Sequence, residues 1–172
     1  GEALLAPTLL YSPVTEALFI AHRRIAFGTP VVALPLMRRQ LAKMLVRAEQ
    51  ARTMVFQTAE ALRRSDAGEA AAYPLVRILT PLIKFRACRD ARKVTGDAME
   101  VRGGCGYIED WADPRLVRDA HLGSIWEGTS NIVARIAGDA VGGGEAAMRD
   151  FLHARLFDPI GMRSAKPRFD AA

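Results

Sequence analysis

Leu34, Met37, Leu41, Met44, Ala48, Ala51, Val55, Ala59 and Leu62 recur at alternating steps of about three and four, which draws one apolar seam along a helix of many turns. Arg38, Arg39, Lys43, Arg47, Arg52, Arg63 and Arg64 fall mostly off that seam. A helix with a single apolar stripe is not stable alone in water and has to pack on others of its kind. Ser65-Asp66-Ala67-Gly68 supplies the turn chemistry that ends it.

The same period returns from about Tyr73 to Arg102 through Leu75, Ile78, Leu82, Phe85, Cys88, Ala91, Val94, Ala98 and Val101. Pro81 interrupts this segment, either by kinking one helix or by opening a second with Thr80 as its cap. The apolar phase runs through it, which favours one kinked helix. Upstream, Ala17, Leu18, Ala21 and Ile25 fit a shorter amphipathic helix from Thr15 to Gly28, with His22, Arg23 and Arg24 in its last turn. Residues 1–13 read as a poorly specified lead-in, and Gly1 in place of an initiator Met points to a tag remnant or a cut inside a longer protein. Downstream, Gly103-Gly104-Cys105-Gly106-Tyr107 breaks the pattern and a loop continues to Asp113. Pro114 then opens a short helix, and another runs through Ile132, Val133, Ile136, Ala137 and Ala140 to the glycines at 142–144. Met148, Phe151, Leu152 and Leu156 suggest one more short helix before a tail from Arg163 to Ala172. No strand pattern competes. The expected fold is all-α, an antiparallel helical bundle over residues 14–142, followed by a short helix and tail over 143–172.

At 172 residues, half of them hydrophobic, the chain is long enough for one domain with a real core. No apolar run nears the ~18 residues of a membrane span, and no signal-peptide pattern opens the chain. A cytoplasmic protein with no membrane partner is expected. Cys88 and Cys105 are too few for a disulfide scaffold and lack zinc-ligand spacing, and His22, His121 and His153 lie far apart, so no metal site is inferred. The net charge of +5 favours an anionic partner without choosing among a nucleotide, coenzyme A and nucleic acid. No basic run is interleaved with aromatics, so DNA enters only as an alternative partner.

Ser124-Ile125-Trp126-Glu127-Gly128-Thr129-Ser130-Asn131 is the stretch with most chemistry in it. Trp126 can cover an apolar or flavin-sized surface, and Gly128 lets another molecule approach the backbone. Thr129 or Ser130 can cap the helix that follows. Glu127 would then be a carboxylate beside a hydrophobic wall and a helix mouth. On these residues alone, a surface carboxylate complementing the helix dipole is the more common outcome.

The order of the signals adds to this. Arg24-Ile25-Ala26-Phe27-Gly28-Thr29-Pro30, a long helix, Ala98-Met99-Glu100-Val101-Arg102-Gly103-Gly104-Cys105-Gly106-Tyr107, Arg115-Leu116-Val117-Arg118-Asp119-Ala120 and then the Trp126-Glu127-Gly128 stretch together resemble the C-terminal helical domain of the acyl-CoA dehydrogenase family. The resemblance spans roughly Ala17 to Val141. Ala33-Leu34-Pro35-Leu36-Met37-Arg38, Thr80-Pro81-Leu82-Ile83-Lys84-Phe85 and Glu100 are similar to the branch that contains the flavoprotein of the adaptive response to DNA alkylation. Members usually carry Gln where Glu100 stands and near Pro35, and both departures bring the ordinary fatty-acyl substrate into question.

The resemblance implies FAD as cofactor, an acyl-CoA-like substrate and a homo-oligomer, dimer or tetramer. It implies that Glu127 is the base that takes the proton alpha to a thioester carbonyl, with desolvation by Trp126 and substrate raising its pKa toward the working range. The family stabilises the enolate oxygen with the backbone N–H of that glutamate and a flavin ribityl hydroxyl. Arg24 matches an arginine that reaches the FAD pyrophosphate of a neighbouring subunit, the plainer reading being a helix-end cation. Phe27 would pack near the same cofactor or in the core. Gly103 and Gly104 match glycines against which the neighbour's adenosine lies, or simply stop a helix. Trp126, Thr129 and Asn131 match flavin-lining positions, unless the last two only organise a cap. Glu100 belongs to the same cofactor-binding set. The family's first helical domain and β-rich domain are not in this sequence. The alternative function is a non-enzymatic DNA-associated or oligomerisation module that keeps the fold.

Overall fold

The computed structural model describes residues 5–126, 128–140 and 150. Among them α1 (Leu5–Arg23), α2 (Pro35–Asp66), α3 (Ala72–Arg102), α4 (Asp113–Gly123) and α5 (Ser130–Ala140) form the bundle. Residues 67–71 are too few to carry the chain across the bundle, so α2 and α3 pack as an antiparallel hairpin. α3 also packs on α1, α4 and α5 and is therefore the central helix. Its burial shows this: Ile83, Ala87, Cys88, Ala91, Val94, Ala98 and Val101 are all inside, on more than one face. Met44, Ala48 and Ala51 of α2 and Leu10, Val14, Ala17 and Ala21 of α1 close the same core. The all-α bundle expected from the seams is the fold observed.

Helix ends follow local chemistry. Pro35 occupies the first turn of α2, where its missing N–H costs nothing, and Leu34 before it is extended. Gly68 turns the chain at φ +88 after α2. Pro81 lies inside α3, which continues through it as one helix, while the Thr80 hydroxyl donates to the Val76 carbonyl next to the gap in the ladder.

Three expectations are corrected. The first helix begins at Leu5, ahead of Thr15, so most of the supposed lead-in is helical. Leu10, Val14, Ala17 and Ala21 form one buried seam that starts before Pro13, and Pro13 is itself buried. A proline inside a helix hid that continuity. The helix also ends at Arg23, short of Gly28. Ile25–Ala26 (β1) and Thr29–Pro30 (β2) pair instead as a two-residue antiparallel ribbon, turned by Phe27 at φ 54 and Gly28 at φ 76. Two successive positive φ angles match the twist that such tight hairpins require. Finally, the α2 seam drifts: Ala61 is buried, while Ala59 and Leu62 are exposed. From Ala51 the sequence seam takes two four-residue steps, to Val55 and Ala59, whereas the packing face continues through the half-buried Thr58 to Ala61.

No helix among the described residues is long and apolar enough to cross a membrane. The helix expected through Met148, Phe151, Leu152 and Leu156, the tail from Arg163 and Glu127 itself lie outside the described residues.

Candidate functional site

The candidate residues fall into two groups along α3. At its C-terminal end, Arg24 arrives from the start of the β1–β2 ribbon and its Nη1 donates to the Val101 carbonyl at 2.8 Å. The guanidinium lies flat against Gly103, where an added Cβ would stand 2.7 Å from Nη2 and 2.9 Å from Cζ. Gly103 has φ 76 and ψ −153, a region open in practice to glycine alone. It is required twice, for its backbone and for the arginine. Gly104 next to it is exposed, and a Cβ there would touch nothing within 4 Å, which leaves a bare stretch of backbone. Phe27, on the arm that Arg24 begins, is 95% exposed and holds a left-handed backbone that a bulky residue seldom adopts.

This end is anchored by Arg102, whose part comes from contacts across the bundle. Arg102 is nearly buried, with its Nε 2.7 Å from Asp113 Oδ2 of α4, its Nη2 3.0 Å from Glu16 Oε2 of α1, and its Cζ 4.4 Å above the Trp111 ring. One side chain thus ties the residue before the glycines to two other helices. Charged and next to a helix stop, Arg102 reads in sequence as a surface cation. Glu100 is exposed toward α2, where Gln40 Nε2 lies 3.5 Å from its Oε2 and also donates to the Asp97 carbonyl at 3.3 Å. A second buried network lies further back on the same face, where Arg47 of α2 sits 3.6 Å from Asp90 and 4.0 Å from Asp97.

The second group surrounds the α4–α5 junction. The Ile125 and Trp126 amides both donate to the Leu122 carbonyl, which winds down α4, and the Val133 amide donates to the Thr129 carbonyl, which opens α5. Trp126 is 47% exposed, Thr129 and Asn131 are exposed, and Val133 and Ala137 are buried and seat α5 on α3. Gly128 has φ +110, and a Cβ on it would face Ile132 and Val133 of α5. Its missing side chain therefore serves the backbone turn, and the space it leaves faces the protein's own helix. Lys84 of α3 donates to the carbonyls of Trp126 and Gly128, and no feature of the sequence links it to residues more than forty positions away. Four residues on, Cys88 is buried in the core, and that burial pushes its thiol up, with Lys84 and Arg92 opposing.

Lys84 and Val101 are on one helix, so the two groups lie about 26 Å apart at 1.5 Å per residue. Arg24 and Gly103 are brought together with the Phe27 arm and Gly104 at one end. Trp126, Thr129 and Asn131 lie at the α4–α5 junction, beside the middle of the helix. The charge pattern gives DNA no added support, since nine arginines and Lys93 stand within ion-pair distance of carboxylates.

The fold is thus a helical bundle with an arginine-bearing arm at one end of its central helix and the α4–α5 junction beside its middle. The family model for the acyl-CoA dehydrogenase C-terminal domain matches residues 5–142, and the chain belongs to the acyl-CoA dehydrogenase family. It is 42% identical over 118 residues to the putative acyl-CoA dehydrogenase AidB of Escherichia coli, covering 68% of this chain and 21% of that protein. Among solved structures, Caenorhabditis elegans ACDH-11 in complex with C11-CoA superposes with a TM-score of 0.79 at 28% identity, over 89% of this chain and 27% of that one. Butyryl-CoA dehydrogenase from Megasphaera elsdenii does so with a TM-score of 0.71 at 27% identity, over 82% and 35%. The chain thus spans between a fifth and about a third of the length of these relatives.

Proposed function

We propose that this chain is the C-terminal bundle of an FAD-dependent oxidoreductase of acyl-CoA dehydrogenase type, which dehydrogenates an acyl-CoA thioester between its alpha and beta carbons with Glu127 as the base. The observation that carries the reading is the division of the candidate residues into two groups about 26 Å apart on α3. An arginine, bare glycine backbone and an exposed aromatic ring suit a dinucleotide's pyrophosphate and adenosine, and Arg24, Gly103, Gly104 and Phe27 supply them together. The donor set fits FAD. Trp126, Thr129 and Asn131 would line the flavin beside the middle of α3, with Glu100 in the set on the α2 side of the glycines.

When bound, FAD supplies the two-electron acceptor. The chain's own residues do the rest. Glu127 takes the alpha proton, the work of a carboxylate base on a carbon acid. Arg24 holds negative charge at a distance from that chemistry. Since the two groups are so far apart, the Arg24 arm is read as serving the cofactor of a second copy of the chain. Phe27, left almost wholly exposed in a strained backbone, supports a partner there.

The test uses the flavoprotein that contains this chain, loaded with FAD and mixed without oxygen with an acyl-CoA such as the C11-CoA bound by ACDH-11. The flavin absorbance should bleach, and Glu127→Gln should slow bleaching by about 10²–10⁴-fold, the usual worth of a positioned base. Normal bleaching in the variant would sink the assignment.

A further inference from the structure

Lys84 stands where neither a core position nor a solvated helix face accounts for it. It is half-buried on the central helix, between Ile83, which is buried, and the Ala87–Cys88 pair, also buried. Its ammonium donates to the Trp126 carbonyl and, at 3.0 Å, to the Gly128 carbonyl. These are the two residues covalently bonded to Glu127. The first carbonyl belongs to the turn that ends α4 and the second precedes α5, positions at which a backbone acceptor has no regular helical partner. Hydrogen bonds from a cation to such groups are roughly twice as strong as neutral ones. Gly128 at φ +110 holds the far side of the same segment in a conformation that a side chain would strain.

We propose that Lys84 is a positioning residue for the base: it fastens to α3 the peptide unit that precedes Glu127 and the one that follows Gly128, and so fixes the point from which the carboxylate acts. The inference rests on the reading of Glu127 given above. It also reaches the amide. In a planar peptide the C=O and the N–H cannot be turned independently, so a lysine that fixes the Trp126 carbonyl fixes the direction of the N–H in the same Trp126–Glu127 bond. A donor to a developing oxyanion must be held before the reaction to be worth its full effect.

Hydrogen–deuterium exchange and flavin reduction, both on the FAD-loaded flavoprotein, test this. In Lys84→Met, amides of residues 124–131 should exchange about tenfold faster while peptides from α2 and the core of α3 keep their protection. The kcat should fall by about 10- to 100-fold with KM within about twofold, as expected for a misplaced catalytic group. Lys84→Arg, which can still donate to both carbonyls, should recover most of the protection and most of kcat. Unchanged exchange at 124–131 overturns the tether. Faster exchange with an unaltered kcat overturns its role in placing the base, and exchange that rises throughout the bundle reduces Lys84 to a fold residue. Full activity in Glu127→Gln would instead remove the base assignment and leave the exchange result intact, so the two failures are distinguishable.

Discussion

At the C-terminal end of α3 the backbone is locked by side chains from α1, α4 and the β1–β2 arm, whereas beside the middle of the same helix the Trp126 and Gly128 carbonyls are tied to α3 by Lys84. The first region is overdetermined. Arg102 satisfies two carboxylates and an aromatic face, Gly103 has neither conformational nor spatial freedom, and Arg24 closes over it. The second is built from backbone carbonyls at two helix ends, which water could satisfy almost as well. A region that only presents a charge and a bare backbone can be rigid at no cost to function. On the reading proposed above the second region carries the base, and Lys84 is what holds it there.

Breaking the overdetermined end should produce the largest change. Arg102→Met leaves Asp113 buried without its cation, a loss of about 3–5 kcal/mol that a denaturant midpoint would register. If the midpoint stays put, the two regions do not differ in the way described. Gly103→Ala should cost less, about 1–3 kcal/mol from the forbidden backbone, but it also pushes Arg24 off Val101. Its signature is FAD lost on gel filtration at unchanged exchange in residues 124–131, because the damage is confined to one end. The smallest effect carries the opposite sign. Phe27→Asn suits a positive φ, so it should stabilise the chain by about 0.5–1 kcal/mol while weakening retention of FAD. A variant at Phe27 that loses stability and keeps its flavin would show that the exposed ring is a fold element.

Much of this was legible in the sequence, and the reasons are specific. α2 and α3 declared themselves because each carries a long apolar period with a clear stop, and the structure keeps their ends within a residue or so of the expected ones. α1 was cut short because Pro13 sits inside it, and a buried proline in a helix cannot be told from a breaker by spacing alone. The Phe27–Gly28 turn escaped because two-residue strands are too short to alternate visibly. Of the candidate site, the glycines and Arg24 could be named from motif order. Arg102 and Lys84 could not, since what makes them matter is contact with Glu16, Asp113, Trp126 and Gly128 across the bundle.

Because both regions hang on one uninterrupted helix, the interval from Lys84 to Val101 works as a ruler graduated in residues. Inserting or deleting one residue there would swing one end by about 100° against the other and slide it by about 1.5 Å. The exposed Arg86 and Lys93 make their ion pairs along the same helix, with Asp90 and Asp97, and set no distance between its two ends. The count of residues does.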